Sequence, residues 1–179
     1  MGNDGFEPKA KQMDHRDIIR SQYQASLEML RQAIAKCPES IWDNQGDKTK
    51  FWHIAYHALF YTHLYLQGSE KEFQPWVKHR KDYQSLGPLP TPPHRQPEIG
   101  EPYTKEDVLA YLNMCQQQVD EKTRQLKLDD ESGFSWLPFS MLELQIYNIR
   151  HIQHHTGELM ERLGTRANID VDWMSMKHD

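Results

Sequence analysis

Three histidines in one short stretch near the end of the chain have the spacing of metal ligands. The stretch reads His151-Ile152-Gln153-His154-His155. On a helix, His151 and His155 lie one turn apart and about 40° apart around the axis, so both imidazoles can reach one metal ion. His154 points to the other side of His151, toward solvent or a neighbouring element. The metallopeptidase motif HExxH has a Glu where this chain has Ile152, so the pattern disfavours peptidase chemistry.

A catalytic metal site needs a third protein ligand, because zinc and similar ions take at least three. The best candidate is His57, which lies in a strongly apolar stretch where an imidazole without a partner is costly. His53 and His63, in the same stretch, compete less well for an inward position. Three histidines that leave a fourth position for water form an open, catalytic type of site. The alternative is that all of them are hydrogen-bonded core residues and that the HxxxH spacing arose by chance.

Three further side chains are candidates for a supporting role. Glu158 lies close to His151 in helical phase, so it is placed to orient a ligand or to act as a general base. Asn148, on the inner side of the same predicted helix, and Tyr61, one turn beyond the third candidate ligand, are candidate substrate-binding residues. Each has a structural alternative: Glu158 pairs with Arg162, Asn148 makes an internal hydrogen bond, and Tyr61 belongs to the core.

Helical periodicity predicts four helices that would carry these residues, over about 14–37, 48–67, 104–127 and 140–163. Asp14 and Thr104 are expected N-caps, and Gly164 is the expected C-cap of the last helix. Residues 70–103 contain seven of the ten prolines, which excludes a long regular helix there. The sequence has no extended period-2 stretch. It therefore predicts an all-α fold, a four-helix bundle with a long proline-rich crossover between helices 2 and 3.

Length and composition limit the remaining functions. We expect a single domain over the 179 residues, with a flexible N-terminus at about 1–12 and a C-terminal tail at 165–179. The net charge of −5, without a basic block, argues against nucleic acid as a partner. The absence of a long apolar stretch and of a leader pattern argues against a membrane and favours the cytoplasm.

The second predicted helix, 48–67, is apolar almost all the way round. Such a helix is buried on most sides, either at the centre of a bundle or against another subunit. It is therefore the best candidate for a homodimer interface.

The late helix also resembles a known family. Its sequence H-x-x-H-H-T-G-E-L-M-E-R-L-G, after an apolar helix with an internal histidine and a long crossing, is similar to that of the DinB-like superfamily. The usual pattern there is close to HxxHHRGQ, followed by an ending like LRxLG. Thr156 stands in place of the usual Arg, and Glu158 in place of the usual Gln. The resemblance in layout covers all four predicted helices.

The resemblance implies a four-helix bundle, often dimeric, with a divalent metal ion, zinc or nickel, held by His57, His151 and His155. Characterised relatives include transferases that conjugate low-molecular-weight thiols such as bacillithiol, and an isomerase that uses mycothiol. We therefore expect a metal-dependent enzyme that acts on a small-molecule substrate, with thiol activation and S-transfer as its chemistry. The alternatives are a metal-dependent hydrolase, with Glu158 as acid or base, and a non-catalytic metal-binding or dimeric interaction protein.

Overall fold

A computed structural model describes residues 14–90 and 92–176, and the predicted flexible N-terminus lies outside these ranges. Within them the chain forms five α-helices, α1 His15–Lys36, α2 Glu39–Trp42, α3 Phe51–Tyr65, α4 Lys105–Lys122 and α5 Met141–Ala167. The described residues contain no β-strand, only an isolated bridge between Glu131 and Ser140. The prediction of an all-α protein is confirmed. None of the described helices is long and apolar enough to cross a membrane.

The helices begin where local hydrogen bonding favours a start. The side chains of Asp14, Thr104 and Ser140 each accept a hydrogen bond from a backbone N–H in the first turn of α1, α4 and α5. These contacts satisfy N–H groups that have no partner within the helix. Asp14 and Thr104 are thus confirmed as the predicted N-caps.

The end of α5 corrects one expectation. The helix continues past Gly164 to Ala167, and Asn168 rather than Gly164 takes the left-handed cap conformation, with φ 54°. Its backbone N–H donates to the carbonyl oxygen of Gly164 at 3.1 Å. Asparagine tolerates this conformation better than most side chains, so the helix does not have to end at the glycine. The short helix α2, which follows directly after α1, was not predicted.

Helix α3 is the most completely buried of the long helices. It contacts both α4 and α5, and these two helices also pack against α1. Every residue of α3 except His57 and Tyr61 is buried. The apolar composition of this helix is therefore explained by its position inside the chain, and only one short part of its surface is left partly open.

The long proline-rich segment between α3 and α4 packs against both of these helices. The Trp76 ring stacks on the ring of Tyr111 with the centroids 4.6 Å apart, and the Tyr103 ring lies 4.7 Å from that of Tyr56 on α3. The indole N–H of Trp42 donates to the Tyr103 carbonyl oxygen at 2.9 Å. Since the same chain covers this helix, its apolar sequence does not require a second subunit. Homodimer formation stays a prediction.

The C-terminal tail after α5 folds back along α1. The ammonium group of Lys36 donates to the carbonyl oxygen of Asp170 at 2.9 Å, and the backbone N–H of Asp172 donates to the Gln32 side chain at 3.0 Å. The side chains of Ile169 and Val171 pack against the core. Residues 168–176 therefore form part of the folded body although they have no regular secondary structure.

The buried His63 makes stability depend on pH. Its Nδ1 atom lies 3.2 Å from the Tyr111 hydroxyl oxygen, and burial lowers the pKa of His63 to about 4. Below pH 6.5 His63 is protonated in the unfolded chain, whereas in the folded protein it stays neutral until about pH 4. The free energy of unfolding therefore falls as the pH falls. We expect this residue to cost the metal-free protein roughly 2 kcal/mol between pH 7.5 and pH 5. Urea unfolding of the wild type and of His63→Asn at both pH values measures this loss. The variant should lose clearly less unfolding free energy than the wild type, and an equal loss would contradict the role of His63.

Candidate metal centre

Helices α3 and α5 bring three of the predicted histidines together. The Nε2 atom of His151 lies 3.1 Å from the Nε2 atom of His57 and 3.1 Å from that of His155. One ligand atom from each of the three side chains falls within 4.8 Å of the other two. His155 is buried, and His57 and His151 are half-buried. The one-turn spacing on α5 and the histidine on the facing helix therefore converge on one point.

The hydrogen-bond partners of the Nδ1 atoms determine where the protons of two of these rings lie. The Nδ1 atom of His57 is 2.6 Å from the carbonyl oxygen of Gln84, and the Nδ1 atom of His155 is 2.7 Å from Oε2 of Glu158. A carbonyl or carboxylate oxygen accepts a hydrogen bond, so each Nδ1 atom is the donor. In the neutral rings the Nε2 atoms then carry lone pairs, and both lone pairs face the common centre.

His151 cannot satisfy both of these lone pairs. With a proton on Nε2, its neutral ring donates well to one neighbour and leaves the other without a partner. Its Nδ1 atom is buried and has no hydrogen-bond partner in the described part of the chain. A cation bound by all three Nε2 atoms would give the Nε2 lone pair of each ring a partner. The Nδ1 hydrogen bonds of His57 and His155 are also typical of histidine ligands. The donor set therefore fits a metal ion.

The three rings are in the protonation state that a metal requires. Burial, together with the neighbouring His155, lowers the pKa of His57 to about 3 and that of His151 to about 4. Burial also lowers the pKa of His155, although the carboxylate of Glu158 opposes this effect. All three imidazoles are neutral at pH 7, so they bind a cation without first losing a proton.

Two tyrosines form an aromatic wall beside the histidines. The Tyr61 ring meets the His57 ring edge-on at 4.9 Å between centroids and the His151 ring at 5.5 Å. The Tyr147 ring is nearly parallel to that of His151, with centroids 6.5 Å apart. Both tyrosines are half-buried. Tyr61 was predicted, whereas Tyr147 was missed, although its position one turn before His151 was a usable signal.

The structure distinguishes between the two predicted helper residues on α5. Glu158 is 41% exposed and contacts His155, whereas Arg162 donates to the carbonyl oxygen of Thr49 at 2.7 Å. The expected structural alternative, a Glu158–Arg162 pair, is therefore not what these two side chains form. Asn148 is fully buried, and its amide donates to the carbonyl oxygen of Thr62 at 3.3 Å. A role for Asn148 in substrate binding stays a prediction.

The competing histidines lie outside the cluster. His53 donates through Nε2 to the carbonyl oxygen of Tyr83 at 2.8 Å, and His63 faces Tyr111. The His154 side chain is 68% exposed, with its Nε2 atom 4.0 Å from Glu158. These contacts place the three competing histidines outside the cluster, and the role of the clustered histidines as metal ligands stays a prediction.

The comparison with protein families agrees with this geometry. A family model described as the DinB superfamily matches residues 22–159 of the 179, a stretch that includes all three clustered histidines. The chain belongs to the DinB superfamily. No curated protein and no solved structure matched the sequence. In this member of the DinB superfamily, α3 supplies one histidine of the cluster and α5 supplies two, the distribution that the resemblance implied.

Proposed function

We propose that this DinB-superfamily protein is a metal-dependent enzyme that acts on a small molecule. A divalent ion, zinc or nickel, would be held by His57, His151 and His155, at the point where α3 and α5 of a four-helix bundle meet. One observation carries the proposal. The Gln84 carbonyl and the Glu158 carboxylate accept the Nδ1 protons of His57 and His155, and this directs the Nε2 lone pairs of both rings toward the same centre. Hydrogen-bonded core histidines, the alternative reading, have no need of this arrangement.

The ligand set indicates the type of chemistry. Because the three imidazoles are neutral, a divalent ion held by them would keep its full charge and would make a bound water or thiol more acidic. Three protein ligands leave a position for such a molecule. The rings of Tyr61 and Tyr147 both lie beside the ring of His151, at 5.5 Å and 6.5 Å between centroids. These residues would hold a small substrate against the open position.

We infer that the molecule activated is a low-molecular-weight thiol, as the family resemblance implies. In the proposed transfer, the thiolate sulfur forms a bond to an electrophilic carbon of a second small molecule. The bond to the leaving group breaks, and the thiol proton passes to solvent. The position of Glu158 supports this chemistry over hydrolysis, because its carboxylate is engaged with the Nδ1 atom of His155 and is therefore better placed to orient that ring than to deprotonate water.

A thiol titration of the cobalt-substituted protein tests this proposal. We expect a low-molecular-weight thiol such as cysteine or glutathione to add a sulfur-to-cobalt charge-transfer band, which a matched alcohol such as serine does not produce. Incubation of the zinc protein with a thiol and a panel of electrophiles should then consume the thiol faster than the metal-free protein does. Metal binding without a thiol band, but with ester or amide cleavage, would favour the hydrolase. Metal binding with neither activity would favour a non-catalytic protein.

A further inference from the structure

A turn in the proline-rich crossing contacts two histidines of α3. The carbonyl oxygen of Tyr83 accepts a hydrogen bond from Nε2 of His53 at 2.8 Å, and the carbonyl oxygen of Gln84 accepts one from Nδ1 of His57 at 2.6 Å. His53 and His57 are one helical turn apart, so the turn runs beside α3. The carbonyls of two consecutive residues thus fix the orientation of two histidines that lie one turn apart on α3.

An ion pair holds this turn in place. The backbone N–H of Ser85 donates to the Asp82 carbonyl oxygen at 2.9 Å, which closes the turn around residues 83 and 84. The Asp82 carboxylate receives Nη1 of Arg95 at 2.7 Å and the backbone N–H of Glu98 at 3.3 Å. The Asp82 side chain is only 7% exposed. One carboxylate therefore ties the turn to a second part of the crossing.

Tyr83, the first of the two residues whose carbonyls contact the histidines, is anchored as well. The Tyr83 hydroxyl donates to the carbonyl oxygen of Glu101 at 3.0 Å and accepts the backbone N–H of Gly100 at 3.0 Å. Its ring lies 5.4 Å from that of Tyr103, which belongs to the core. This anchor and the Asp82–Arg95 pair hold two adjacent residues, Tyr83 and Asp82, which lead directly into Gln84.

We propose that Asp82 and Arg95 are positioning residues of the metal centre. Their ion pair keeps the Gln84 carbonyl where it takes the Nδ1 proton of His57, and this leaves the Nε2 lone pair of His57 free for the metal. Without the pair, His57 is free to rotate or to carry its proton on Nε2, and both changes weaken it as a ligand. The inference rests on the proposed metal site, and it makes the crossing part of that site.

Asp82→Asn is the variant that tests the proposal. Asp82 has φ 70°, and asparagine tolerates this left-handed conformation, so the change removes the charge and leaves the backbone unstrained. The matched control is Asp47→Asn. Asp47 has a side chain 9% exposed and receives Arg166 at 2.7 Å, and its ion-pair partners among the described residues are Arg162 and Arg166. Both variants lose a 2.7 Å ion pair from a shielded carboxylate, and Asp47→Asn also loses the 3.6 Å contact with Arg162. Only the Asp82 pair is tied to the His57 turn.

Zinc affinity is measured by competition with a chromophoric chelator, and the stability of the metal-free proteins by urea unfolding. We expect Asp82→Asn to weaken zinc binding about tenfold relative to Asp47→Asn, the low end of the loss seen when an outer hydrogen-bond partner of a ligand is removed. The two variants should lose similar stability. Equal zinc affinities in the two variants would overturn the proposal.

A second measurement does not need metal. In the metal-free protein, ¹⁵N NMR of the imidazoles reports which nitrogen of His57 carries the proton. We expect the Nδ1–H form to dominate in the wild type and in Arg95→Lys, and to lose population in Arg95→Gln. An unchanged tautomer in Arg95→Gln would overturn the positioning role. If the wild type binds no zinc, the proposed function fails, and the tautomer still decides whether the ion pair positions His57.

Discussion

Replacement of His151 and His155 by alanine together is expected to abolish metal binding. The wild type should carry about one divalent ion per chain, and the double variant close to none, because one remaining imidazole cannot hold the ion in competition with water. The measurement is elemental analysis of protein purified without chelator and without a nickel resin. If the wild type contains zinc or nickel and the variant does not, the two histidines are established as ligands and the identity of the metal is narrowed to the ion found.

A neighbouring histidine provides the control for this result. His154 lies between the two proposed ligands in sequence, but its side chain is 68% exposed and it is not one of the three histidines that converge on one point. His154→Ala should therefore keep the metal, whereas His57→Ala on α3 should lose most of it. If the wild type contains no metal and takes none up on titration, the enzyme proposal fails. The clustered histidines would then be interior or interface residues, and binding partners would have to be sought instead.

Removal of the Glu158 side chain should weaken the metal centre without unfolding the protein. In Glu158→Ala, Nδ1 of His155 loses the acceptor that lies 2.7 Å away, and the ring is no longer held with its Nε2 lone pair inward. Loss of such a partner lowers metal affinity by about 10- to 100-fold. Since the Glu158 side chain is 41% exposed, we expect little change in the unfolding of the metal-free protein. Chelator competition and urea unfolding measure the two quantities.

Two further variants show what kind of role Glu158 has. Glu158→Gln keeps an oxygen that can accept the proton of His155, and Gln is the usual residue of the family pattern here. It should bind metal more tightly than Glu158→Ala does. Glu161→Ala, an exposed position on the same helix, should match the wild type. If Glu158→Gln binds metal normally but loses a hydrolytic activity, Glu158 acts as a general base and the hydrolase alternative is favoured.

Much of the site could be predicted because it depends on spacing within single helices. The one-turn separation of His151 and His155 follows from helix geometry alone, and Glu158 lies on the same side because it follows His155 by three residues. The selection of His57 depended on a different signal, an ionisable ring in an otherwise apolar helix. In the structure, the only residues of α3 that are not buried are His57 and Tyr61.

The remainder depended on groups that residue types do not reveal. The partner of His57 is the backbone carbonyl of Gln84, and every residue has such a carbonyl, so no side-chain pattern marks it. The end of α5 was predicted at Gly164 because glycine often follows a helix. In the structure, Asn168 caps the helix one turn later, because more than one residue near the end can take the left-handed conformation.

The sequence by itself determined the helical class, most of the helix starts and the pair of histidines on α5. These features follow from contacts between residues close together in the chain, which periodicity and capping residues encode directly. The tertiary structure decided how the segment between α3 and α4 covers α3, and which ring nitrogen of His57 and of His155 points to the centre. Those outcomes depend on contacts between residues far apart in the chain, such as the Gln84 carbonyl and His57, and they are set only when the whole core packs.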